Sequence, residues 1–216
     1  MTRDTAWVTI RTVSGNPTRN RRTERRQATV AEILDAAWAL ARSHGLTGFS
    51  LRELANDVGM RPQSLYSYFA SKHAIYDAMY AQGCRAFAAG QARWELSGEA
   101  LPDLRLIGRF FVEFCTDDPV RFQLMFQRTI PGFEPSPESF QLSVESLAVV
   151  AEHLAALGID DPAALDLFTA LGMGVADQQI SNDPGGDRWT RLIDTAVDMF
   201  FNHVTSPGFA AIRAAH

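Results

Sequence analysis

At Asp118-Pro119, Ser136-Pro137 and Asp161-Pro162 of this 216-residue sequence, an oxygen-bearing side chain stands directly before a proline. Each pair opens a run whose apolar residues recur every three or four positions. An N-cap oxygen accepts from the free N–H groups of a first helical turn, and a proline at the next position gives up only an N–H that has no partner there. Such pairs start helices. Ser50-Leu51-Arg52-Glu53 adds a capping box, in which the serine oxygen accepts from the glutamate N–H and the glutamate reaches back to the serine N–H. No stretch alternates as a half-buried strand does, so the spacing predicts an all-α chain of about nine helices. They are expected near 23–44, 51–58, 62–69, 72–96, 101–116, 119–129, 137–157, 162–181 and 187–205, with Asp187 capping the last.

Hydrophobic residues make up 46% of the chain, enough for a sizeable core. The net charge of -5 argues by itself against a phosphate-rich partner, but it averages two unlike ends. Residues 1–72 carry 11 Lys and Arg against 6 Asp and Glu, while residues 73–216 carry 9 against 19. Residues 1–22, with Arg3, Arg11, Arg19, Arg21 and Arg22 around Gly15 and Pro17, lack helical periodicity and predict a flexible basic arm. Cys84 and Cys115 lie inside apolar helical patterns and are expected to be small buried residues. There is no secretory apolar core near the start and no apolar window long enough to span a bilayer, which predicts a soluble, cytoplasmic chain without a membrane partner.

Residues 50–69 carry the sharpest functional signal. Two helix-sized pieces meet around Gly59, and the first, with Leu51, Leu54, Ala55 and Val58 on one face, is too short to stand alone in water. Both must pack on the preceding helix. Two short helices around a tight turn form a helix-turn-helix, whose second helix enters the major groove of DNA. With Leu65 and Phe69 turned inward, Arg61, Gln63, Ser64, Tyr66, Ser67 and Tyr68 remain outward. Arg and Gln suit guanine and adenine edges, and hydroxyls suit phosphate. The plainer reading is an amphipathic helical corner whose tyrosines only pack.

The run GLTGFSLRELANDVGMRPQSLYSYFASKHAIYDAMY, preceded by ATVAEILDAAWALARSHG, resembles the N-terminal DNA-binding domain of the TetR family of bacterial transcriptional regulators over residues 22–87. That resemblance implies a helix-turn-helix domain at 23–71 and a larger helical ligand-binding and dimerisation domain at 72–216. It implies that Arg52 reaches a base and Ser50 a phosphate, that Arg61, Pro62, Gln63 and Ser64 open the recognition helix, that Tyr66 and Tyr68 touch DNA, and that Lys72 meets phosphate at a helix N-terminus. Arg61 departs from the family's usual Ser or Thr cap and Gln63 from its usual small residue, so base preference does not transfer. The implied protein is a homodimeric regulator, a repressor, that binds a palindromic operator and is released by a small apolar effector. A helical interaction module that no longer binds DNA is the alternative.

Beyond Phe87 only physical arguments apply. Trp94, Phe110, Phe111, Phe114, Phe122, Met125, Phe126, Phe133 and Phe140 crowd 47 residues and predict an apolar ligand pocket, with Arg109, Gln123, Gln127 or Gln178 as its polar groups. Leu165, Phe168, Leu171, Gly172 and Val175 can pair with Leu192, Ile193, Ala196, Val197, Phe200 and Phe201 as stripes buried across a two-fold axis, or else within one protomer. An enzyme is disfavoured. His44, His73, His153, His203 and His216 are scattered, no G-x-S-x-G, phosphate loop or G-x-G-x-x-G occurs, and neither a metal nor a cofactor is expected.

Overall fold

The computed structural model describes residues 17–206 and Phe209. Among the described residues there are nine α-helices and no strand: α1 (Pro17–His44), α2 (Leu51–Asp57), α3 (Pro62–Leu65), α4 (Lys72–Gln91), α5 (Ala100–Asp117), α6 (Pro119–Phe126), α7 (Pro137–Ala156), α8 (Pro162–Asn182) and α9 (Ile193–Val204). The punctuation holds. Asp118, Ser136 and Asp161 each cap a helix with proline in its first turn, and both bonds of the Ser50–Glu53 capping box form, at 3.1 and 2.7 Å.

The boundaries shift where side chains compete with the helix. α1 begins at Pro17, so residues 17–22, expected in the arm, are helical; proline presets the first φ and the arginines after it are good helix formers. The rest of that arm lies outside the described residues. α3 stops at Leu65 rather than Phe69, because Ser67 donates its hydroxyl to the Ser64 carbonyl at 2.7 Å and the backbone tightens into three-residue bonds. α4 ends at Gln91 rather than near 96, where a turn carries Trp94 toward the second core. The last helix starts at Ile193 after a 3-10 turn, Thr190–Leu192, so Asp187 does not cap it.

Two cores divide the packing. In the first, α1, α2 and α3 bury Ile33, Ala37, Leu54 and Leu65 together with Ile75, Tyr76 and Met79 of α4. The N-terminal half of α4 therefore completes the helix-turn-helix core while its C-terminal half belongs to the larger unit. The buried Tyr76 hydroxyl donates to the Leu46 carbonyl, and burial pushes its pKa up to about 12. Gly45 and Gly59, with φ of 80° and 73°, end α1 and α2 in the left-handed region that only glycine enters freely. In the second core α5 lies between α7, α8 and α9, contributing Leu104, Ile107 and Val112. Cys84 and Cys115 are both buried and unbridged.

Two arginine forks hold α9 to α5. Arg105 donates to both oxygens of Asp198 at 2.7 and 2.6 Å, and Arg109 does the same to Asp194. Those hydrogen bonds hold both carboxyls below the usual carboxylate range. A carboxyl whose folded pKa lies below its unfolded value adds stability that is present above the unfolded value and is lost as pH falls through the folded one. The variant carrying Arg105→Gln and Arg109→Gln is therefore expected to melt below the parent at pH 7, with the gap closing from about pH 4 downward. A gap independent of pH, followed by circular dichroism, would leave the arginines only a packing role.

Candidate functional site

The outward face of the helix-turn-helix is built by what its inward face buries. Leu65 is buried among α1, α2 and α4, which leaves Arg61, Pro62, Gln63, Ser64, Tyr66 and Ser67 exposed along one ridge, with Tyr66 55% exposed. Ser50 and Arg52, also exposed, come from the start of α2. The arrangement gathers the sequence-derived residues on neighbouring elements.

Two of those residues are less free than expected. Tyr68 is half-buried, with the Arg26 guanidinium 4.8 Å from its ring centre, and the same arginine donates to the Ser67 carbonyl at 3.0 Å. Arg26 thus ties the turn after α3 to α1, a role that no motif announced. Lys72 donates to the Thr47 and Phe49 carbonyls at 3.1 and 2.6 Å and sits 4.3 Å from the Phe49 ring centre. Desolvation lowers its pKa. An ammonium has three donors, so one is left for an anion.

In the larger unit, a cavity of about 390 Å³ opens between α4, α6, α7 and α8, at the first core's edge. Of the nine apolar pocket residues expected from sequence, Phe111, Met125, Phe126 and Phe140 line it. The others do not. Phe122 is buried against Cys115 and Ala176, Phe110 fills the space over Gly90, Phe114 stacks 3.7 Å beneath the Arg121 guanidinium, and Trp94 packs edge-on to Phe110. Gln178 is exposed and accepts from Asn182, and Gln123 is half-buried outside the cavity walls. Arg109 and Gln127 are engaged by Asp194 and Asp177. Density of aromatics along the chain marked helix packing, whereas the cavity also needs Tyr80, Cys84, Val144, Ser146 and Met173 from three other helices. Burial pushes the Cys84 thiol up to about 11, so it is a neutral wall group rather than a reactive one. Among the described residues no group of three or more His, Cys, Asp or Glu could hold a metal ion, and no helix is long and apolar enough to cross a membrane.

The family of bacterial regulatory proteins called tetR matches residues 33–79, which span the second half of α1 to the first half of α4. The match is confined to the helix-turn-helix segment, which is similar to the N-terminal domain of that family. The HTH-type transcriptional regulator Rv1816 of Mycobacterium tuberculosis is 23% identical over 121 residues, 55% of this chain and 52% of that protein. The chain thus matches about half the length of that relative. The HTH-type transcriptional repressor Rv1353c of the same organism is 22% identical over 203 residues, covering 89% of this chain and 76% of that one. Among solved structures, the regulatory protein SCO4313 superposes with a TM-score of 0.71 at 21% identity, over 83% of this chain and 98% of that one, a likeness of fold. The described residues share an all-helical fold with that structure.

The stripes expected to meet a second copy are largely spent inside the protomer. Phe168, Gly172, Ile193, Val197 and Phe200 are buried, because α5 takes the inward faces of α8 and α9: Val197 abuts Gly108, and the Phe111 ring lies within 2.9 Å of where a Cβ on Gly172 would stand. Leu165, Leu171, Val175, Ala196 and Phe201 are half-buried. Leu192 is exposed, as are Leu167 and Met199, the last to 69%. The outward faces therefore lie one side round from the expected ones.

Arg26→Ala is expected to raise amide hydrogen exchange at Ser67–Phe69 by about fivefold, the loss of one charge-assisted bond and a stacked ring. Arg26→Lys should not restore protection, since an ammonium cannot stack and donate as the planar fork does. Unchanged exchange in Arg26→Ala would remove it as a clamp.

Proposed function

We propose that this chain works as a homodimeric repressor, binding a palindromic DNA operator through two copies of the recognition surface and leaving it when an apolar small molecule occupies the cavity between α4, α6, α7 and α8. The observation that carries the reading is the exposed ridge Arg61-Gln63-Ser64-Tyr66 on a helix that Leu65 and Arg26 pin to the domain core. A ridge so presented can reach base edges while hydroxyls from Ser50 and Tyr66 and the third donor of Lys72 meet the backbone.

Dimerisation is proposed through the outward faces of α8 and α9, around Leu167, Leu192 and Met199, with Gly174 leaving open space for a close approach. Half-sites about one helical turn apart, roughly 34–36 Å, follow from such two-fold pairing. Release is proposed as a population shift. The cavity wall and the DNA-binding domain share α4, and α6 is tied to α1 through Asp118, which caps α6 and accepts from Arg42 at 3.1 and 2.7 Å. A ligand that favours another setting of α4 and α6 therefore moves the recognition helices with them.

Selection of bound duplexes from a random DNA library by the purified protein, with a salt titration, tests this reading. A palindrome with half-sites about one turn apart is the expected result; weak binding without an enriched motif would leave only the interaction-module alternative. On the selected operator, Tyr66→Ala is expected to weaken binding to all sequences alike, and Lys72→Ala likewise with a lower melting point from its lost carbonyl clamp. Substitution of Arg52 or Gln63 should instead relax one base position by about 1–3 kcal/mol. Equal effects of all four on every sequence would end that division of roles.

A further inference from the structure

We propose that the cavity is selective for an uncharged molecule, an apolar body carrying one hydroxyl or carbonyl group that hydrogen-bonds to Ser146. The inference rests on reading the cavity as the effector site, and it concerns the chemistry that the site accepts.

The walls contain no Asp, Glu, Lys, Arg or His. The two wall residues that could ionise are held neutral: burial raises the pKa of the Tyr80 phenol, and that of the Cys84 thiol to about 11. A carboxylate or ammonium drawn in would lose its hydration and meet no counter-charge. An uncharged body loses little and leaves water behind.

The hydroxyls in the wall divide sharply. Ser143 donates to the Phe140 carbonyl at 2.7 Å, Thr169 to the Asp166 carbonyl at 2.9 Å, and Tyr80 interacts with Ser143 and Cys84. Ser146 stands one turn from Ser143 on α7 and is 7% exposed, yet its Oγ has no partner. A helical serine ordinarily returns its proton to a carbonyl three or four residues back, as Ser143 does. The Ser146 backbone is fixed from behind, where Gln91, itself buried, donates to its carbonyl at 2.9 Å. Its hydroxyl is thus an unspent donor and acceptor held at a set position, and a buried group of that kind is stabilised by any ligand atom that completes it.

Charge is found only outside this chamber. An adjoining space of about 490 Å³ shares Tyr80, Met125, Phe126 and Phe140 with it and contains Arg128 and Glu134, which lie 3.9 Å apart and are 92% and 80% exposed. Groups so hydrated offer an entering ion little beyond what water gives. Exposed Phe140, Val144 and Leu147, at one-turn spacings on α7, line the mouth with apolar surface instead.

Nile red, a neutral dye that brightens in apolar surroundings, serves as the reporter, displaced in turn by 1-decanol, decanoate and decyltrimethylammonium at pH 8 below micelle-forming concentrations. Decanol is expected to displace the dye at concentrations about tenfold lower than either ion. Ser146→Ala should weaken decanol about fivefold, and Ser146→Thr, which keeps the hydroxyl, should weaken it less. Alanine suits a helix, and equal melting points of the variants separate binding from folding. Equal displacement by decanol and decanoate would overturn the selectivity, with the anion held at Arg128, and an unchanged decanol affinity in Ser146→Ala would overturn the role of that hydroxyl. If no saturable dye binding occurs and no probe shifts the melting point, the cavity is not an effector site, and the proposal falls with that reading.

Discussion

Helices of seven and four residues have no stability of their own in water, so the exposed polar ridge exists only because Leu54, Ala55, Leu65 and Phe69 are buried against α1 and α4. That burial sets the direction of every exposed side chain on the ridge. With Leu65 committed to the core, the 100° turn per residue leaves Gln63, Ser64, Tyr66 and Ser67 pointing into solvent. Arg26 and Lys72 then fasten the two ends, one by stacking on Tyr68 and bonding the Ser67 carbonyl, the other by holding the Thr47 and Phe49 carbonyls. Polar residues that look free in sequence are partly engaged in holding the backbone that presents them.

The same economy joins the two halves of the molecule. α4 contributes Ile75, Tyr76 and Met79 to the helix-turn-helix core, then Tyr80, Cys84 and Phe87 to the cavity wall. Asp77, next to Tyr76 on α4, accepts from the Ser136 N–H and from the Ser136 and Ser139 hydroxyls at 2.7, 3.0 and 2.9 Å, which secures α4 to the start of α7. Asp118 secures α1 to the start of α6. A packed helix with polar fastenings at its flanks moves as a unit, so changes in the cavity wall and in the helix-turn-helix core are not independent.

Much was legible in the sequence because its signals are local. The capping box, the Asp-Pro and Ser-Pro starts and the left-handed glycines each act within four residues, and the helices they mark are where the spacing placed them. The ends of α3 and α4 were less legible, since Ser67 and Trp94 respond to hydrogen bonds and packing that spacing does not encode. Which aromatics wall the cavity, and which of the two burials the α8 and α9 stripes adopt, were not legible for one reason: apolar periodicity says that a face is buried but not against what.

The sequence by itself determined that the chain is helical, that it carries a helix-turn-helix with a defined polar ridge, and that its basic residues gather at one end, because these properties follow from side chains within a turn or two of each other. Only the tertiary structure decided that α5 takes the inner faces of α8 and α9, that Phe122 is packing while Ser146 is cavity wall, and that Arg26 braces the turn after α3. Those choices depend on contacts between residues tens of positions apart, where shape and unspent hydrogen bonds, rather than local propensity, select the partner.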